Sequence, residues 1–101
     1  MIPQFTTPTI TLTFTEQGLD LTRASKVIVT IRSGTRRITK EGDALNISEK
    51  SIGIHLSQKE TSQLAVGDAE IMANWMVAGE RFASEKVKIT MTDNLLAEVM
   101  T

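Results

Sequence analysis

The sequence predicts an all-β domain, a seven-stranded antiparallel sandwich with one short helix between strands five and six. Three observations lead there. Apolar residues recur at every second position in several short runs, which buries one face of a strand. Turn signals separate those runs at fairly regular spacing. The longest pattern, Asp68 to Thr92, reads as two long strands joined at Ala78-Gly79-Glu80. Its first arm sets Ala69, Ile71, Ala73, Trp75 and Val77 against Glu70, Met72, Asn74 and Met76. Trp75, the single tryptophan, falls on the buried set and is the largest apolar body available to a core.

The bulk numbers bound the rest. A chain of 101 residues is expected to form one domain, 1–101, with a modest core. It has no cysteine, so disulfides, thiol chemistry and cysteine-type zinc sites are excluded. Eleven Lys and Arg face twelve Asp and Glu, for a net charge of −1. A nucleic-acid binder normally has a strong basic excess, so no nucleic-acid partner is expected. The opening MIPQFTTP has neither a basic region nor an apolar run, so no signal peptide is expected. No stretch approaches the roughly 20 apolar residues of a membrane span, and no membrane partner is expected. These features lead us to expect a soluble protein made in the cytoplasm. The triplet Asn46-Ile47-Ser48 is then an accidental glycosylation match.

Taken in order, residues 8–15 alternate Ile10, Leu12 and Phe14 with four threonines, whose β-branch suits a strand. Glu16-Gln17-Gly18 ends it, and Asp20 can cap a helical turn at Leu21-Thr22-Arg23-Ala24. Residues 26–32 place Val27, Val29 and Ile31 on one face. Ile28 lies on the other, as in a central strand partly covered on both sides. Ser33-Gly34-Thr35 makes a hairpin loop, and the chain returns through Ile38. Leu45 and Ile47 mark a fourth strand; Ile52, Ile54 and Leu56 mark a fifth. Ser57-Gln58-Lys59-Glu60 has the spacing of a capping box, which predicts a short helix through about Gln63. The count and the turns suit immunoglobulin-like topology without its cysteine pair. A short tail, 93–101, carries Leu95, Leu96, Val99 and Met100 on one helical stripe, with Asp93 as N-cap.

No residue set proposes chemistry. His55 and Ser57 share a strand face, which invites a nucleophile–base pair. Acyl transfer also needs an orienting acid and an oxyanion hole, and nothing supplies either. Arg32, Arg36, Arg37 and Lys40 gather on one hairpin, but alternation divides them and no aromatic interleaves them for base stacking. The acidic residues lack ligand spacing, and there is no glycine-rich phosphate loop. We therefore expect no catalytic, cofactor or metal residues and no enzyme. Met72 and Met76 face away from Trp75 and form an adaptable apolar strip. Together with Leu95, Leu96, Val99 and Met100 they are the expected interaction surface. Either the tail covers the strip within one subunit, or it covers a neighbour's strip and builds a homo-oligomer.

Two segments, MIPQFTTPTITLTFTEQGLDLTRASKVIVTI and IGIHLSQKETSQLAVGDAEIMANW, together carry a resemblance, which the closing ASEKVKITMTDNLL also fits. They resemble small Ig-like proteins of prophage tail-gene clusters, which are similar to the N-terminal domain of phage baseplate upper proteins. The resemblance implies a non-enzymatic structural module of a phage or prophage tail or baseplate. It would be virion-associated, bind other phage structural proteins, and bring no catalytic residues. Two departures stand out. Baseplate upper proteins continue into fibre-like and receptor-organising regions, whereas this sequence stops at Thr101. Ala73 stands where a polar or larger residue is expected. The alternative is a small binding module for a bacterial surface saccharide, which would expose aromatics for sugar stacking. One Trp, three Phe and no Tyr, mostly at core parity, weigh against it.

Overall fold

The computed structural model describes residues 1–100, and the fold is all-β. Its strands are β1 Ile2–Pro3, β2 Thr9–Thr13, β3 Lys26–Ser33, β4 Arg36–Glu41, β5 Leu45–Ile47 and β6 Ser51–His55. The helix α1, Gln58–Ser62, follows. β7 Gly67–Val77, β8 Glu80–Ala83 and β9 Val87–Thr92 complete the chain. The strands form two sheets. The larger runs β1-β9-β7-β3-β4, with β8 also paired to β7, and the smaller runs β2-β6-β5. All pairings are antiparallel except β1 with β9.

Among the described residues nine strands replace the seven expected, for two local reasons. Ile2–Pro3 is too short to carry an alternation signal, yet it pairs with Met91 and Thr92. The second arm of the long hairpin is divided into β8 and β9. Trp75 faces Phe82, but Ile71 faces Val87, so one additional residue enters between the two strands. That bulge switches the parity, and both Phe82 and Val87 lie on the core side of β7. The turn itself needs only Ala78 and Gly79, both at positive φ, as a type I′ hairpin requires.

Alternate residues of both sheets converge on one core. It contains Leu12, Val27, Val29, Ile31, Ile52, Ile54, Ile71, Ala73 and Met91, as their parity predicts. Trp75 is 4% exposed and meets Phe14 edge-on at 5.5 Å. Leu21 enters the same core from a single 3-10 turn, Leu21–Arg23, where the Asp20 side chain caps the Thr22 N–H. β3 is central, flanked by β7 and β4.

The capping box forms as the spacing predicts. Ser57 Oγ accepts the Glu60 N–H at 3.1 Å, and Glu60 Oε1 accepts the Ser57 N–H at 2.9 Å. The sequence did not show that Lys40, on β4, reaches the same carboxylate at 2.7 Å. Burial works to raise the Glu60 pKa, but Lys40 and the Ser57 N–H outweigh it and hold the carboxyl below its usual range.

The tail corrects an expectation. Residues 93–100 form bends and no helix. A segment so far below the roughly 12–15 residues of a marginal helix gains little from its apolar stripe. Asn94 supplies a competing turn: its Oδ1 accepts the Leu96 N–H at 3.1 Å, and its Nδ2 donates to the Gln4 carbonyl at 2.8 Å. Thr101, the end of the expected tail, lies outside the described residues.

Candidate interaction surface

β3 and β7 build the centre of an outer face on the larger sheet. Their core-facing residues leave Ile28, Thr30, Met72, Asn74 and Met76 on the other side, all half-buried. The register sets Ile28 beside Asn74 and Thr30 beside Met72. The result is an apolar stripe of Ile28, Met72 and Met76 interrupted by two uncharged polar groups. Two shallow grooves, of about 230 and 310 Å³, lie along it. Their lining comes from β3, β4, β7, β8 and Lys86 in the bulge, so strands of the sheet and their connection form both walls.

Charges bracket the stripe. At one end Arg32 stands between Arg37 on β4 and Glu70 on β7. Arg32 donates to Glu70 at 2.8 Å, which offsets the like charge opposite it. That hydrogen bond is the chief reason the Glu70 carboxyl lies below its usual range, with Lys86 and Lys88 adding to it. At the other end Lys26 approaches Glu41 at 3.9 Å, and Arg81 donates to Asn74 Oδ1 at 3.1 Å. An apolar strip edged by fixed charges of both signs suits a protein partner.

Of the residues expected to act together, Met72 and Met76 do share this face. Leu95, Leu96, Val99 and Met100 do not join it. All four are exposed, and the tail's hydrogen bonds run elsewhere. The Met100 N–H donates to Gln58 Oε1 at 2.7 Å, and Gln58 Nε2 returns a bond to the Met100 carbonyl at 3.0 Å. The sequence understated the roles of Ile28 and the Arg32–Glu70 pair. The off-parity Ile28 in KVIVTIR was the legible signal.

A separate cleft, of about 320 Å³, opens beside Trp75 and Phe82 and is edged by Glu16, Asp20 and Arg23. Phe82 stacks on Trp75 at 6.4 Å and is 44% exposed. Trp75 itself is enclosed by Phe14 and Phe82. The Asp20 carboxylate is already engaged by the Thr22 N–H and hydroxyl and by Arg23. His55 is exposed, and its Nδ1 pairs with Thr9 Oγ1 at 3.0 Å; the Ser57 hydroxyl serves the helix cap. Among the described residues no group of three His, Cys, Asp or Glu could hold a metal, and no helix is long and apolar enough to cross a membrane.

The arrangement defines a class: an all-β domain of two sheets with an open, charge-edged apolar face on the larger one. No family model matches the chain, and no curated protein matches it. Among solved structures it is similar to a protein of Bacteroides vulgatus ATCC 8482 provisionally assigned as a glycoside hydrolase. The TM-score is 0.54 at 12% identity, over 92% of this chain and 16% of that one. At that identity the likeness is one of fold, and this chain spans about a sixth of the other's length.

Proposed function

We propose that this chain is an Ig-like β-sandwich serving as a non-enzymatic structural module of a phage or prophage tail or baseplate. It acts through protein–protein contacts, is made in the host cytoplasm and becomes part of the virion. The strand order β1-β9-β7-β3-β4 over β2-β6-β5, with β1 parallel to β9, supports the Ig-like reading. The observation that carries the function is the Ile28–Met72–Met76 stripe, apolar, grooved and bracketed by paired charges. Methionine at two of its three positions suits a surface that repacks against a partner. The prophage-tail resemblance supplies the kind of partner, other structural proteins of the particle. The test is protein mass spectrometry of particles purified from the lysogen that carries the gene. The chain should be present at a fixed ratio to a tail component, and particles lacking it would refute the assignment.

A second reading, a saccharide-binding module, is favoured by the exposed Phe82 in its polar-edged cleft. Trp75 emission reads this cleft directly. A saturable change on titration with cell-wall oligosaccharides, lost in Phe82→Ala, would favour it over assembly.

A further inference from the structure

Sheet edges expose unpaired backbone groups, and most edges here are blunted. β4 carries Arg36, Arg37, Lys40 and Glu41. β8 and β9 carry Glu80, Arg81 and Lys88 and are divided by the bulge. β1 and β5 are two and three residues long. Charge, bulges and brevity are the usual protections against edge-to-edge pairing. β2, Thr9-Ile10-Thr11-Leu12-Thr13, has none of them, since it is five residues long and uncharged.

The register shows which backbone groups of β2 are free. It pairs with β6 through even-numbered residues, because the Leu56 N–H donates to the Pro8 carbonyl and the Phe14 N–H donates to the Lys50 carbonyl. Alternation then points the N–H and C=O groups of Thr9, Thr11 and Thr13 away from β6. Among the described residues none of these groups has a partner, and all three threonines are exposed.

We propose that β2 is the interface of a homodimer, in which it pairs antiparallel with β2 of a second copy about a two-fold axis through Thr11. The sequence of the strand selects this partner. Reversed, TITLT reads TLTIT, so threonine again meets threonine and Ile10 meets Leu12 of the second copy. The pairs Thr11–Thr11 and Thr9–Thr13 fall where the free groups point, and each exchanges both N–H···O bonds. Threonine pairs are favourable cross-strand neighbours. No like charges oppose one another across the axis: the outward strand residues of the small sheet, Thr9, Thr11, Thr13, Asn46, Ser51, Gly53 and His55, include no Asp, Glu, Lys or Arg. Asp43, beside Thr9 and His55, precedes β5 at the far edge of the sheet. The contact is isologous and therefore closes at two copies. It lies on the opposite sheet from the methionine stripe, so its failure and the failure of the assembly reading are separately visible.

Light scattering on the intact chain tests this. The wild type should have twice the 11.1 kDa mass of the chain. Thr11→Lys and Thr11→Glu each set like charges together on the axis and should give single-chain mass with wild-type circular dichroism. An equimolar mixture of the two should regain the double mass, and added salt should weaken it. Hydrogen exchange on the wild type is the second readout: the amides of Thr9, Thr11 and Thr13 should become protected as concentration rises. A wild-type monomer at about 1 mM, weaker than most specific associations, would overturn the proposal. So would dimers that persist in both variants, or a mixture that stays monomeric.

Discussion

Ser84 completes the backbone pairing of Ala73. Its Oγ accepts the Ala73 N–H at 2.9 Å, and its own N–H donates to the Ala73 carbonyl at 2.8 Å. A side chain thus takes the place of a ladder group where the bulge interrupts β8 and β9. Without it, the β7 strand would carry an unpaired donor two residues from Trp75.

Ser84→Ala is therefore expected to cost about 1–2 kcal/mol, within the range for leaving a part-buried donor unsatisfied. Urea unfolding measures it. A loss indistinguishable from zero would mean that water replaces the hydroxyl.

Trp75 is expected to be the largest single contributor to the core. Trp75→Ala should cost about 3–5 kcal/mol, and wild-type emission should be blue-shifted relative to free tryptophan. Phe14 and Phe82 enclose its ring, so emission typical of open water would contradict the packing.

Ala78 occupies a left-handed position at φ 52, beside Gly79. Asn tolerates that region better than Ala, and Asn-Gly is the favoured type I′ pair. Ala78→Asn should raise stability by about 0.5–1 kcal/mol, visible as a higher thermal midpoint.

Acid should weaken the fold through Glu60 and Glu70. Both carboxyls lie below their usual range when folded, so the unfolded chain holds more protons. Their contribution is fully present above the unfolded glutamate pKa of about 4.3 and is lost as pH falls through the depressed folded values. Glu60→Gln removes its share at neutral pH, and the variant and wild-type urea midpoints should converge in acid. Ser57→Ala should cost on the order of 1 kcal/mol through the same cap. His55→Ala should change stability very little.

The core was legible because parity alone assigns it: Leu12, Val29, Ile31, Ile54, Ile71 and Trp75 each sit where period two puts them. Ser57 and Glu60 were legible because a capping box is a local motif. Three features depend on contacts far apart in sequence and left no local signal. Ile2–Pro3 becomes a strand only against β9. The bulge at residues 84–86 changes register without changing composition. Asn94 binds Gln4, and this turn displaces the apolar periodicity of the tail. Of the candidate surface, the methionines were visible by parity, whereas the Arg32–Glu70 pair that edges them needed the β3–β7 register.

The most direct measurement of the assembly reading is oxidative footprinting of the methionines in purified particles and in the isolated chain. Met72 and Met76 are half-buried on the outer face, and Met1 and Met100 are exposed at the ends, so each chain carries its own reference. If the outer face of the larger sheet is the contact surface, Met72 and Met76 will oxidise more slowly in the particle than in the free chain, relative to Met1. Equal oxidation of Met72 and Met76 in the two states would contradict it.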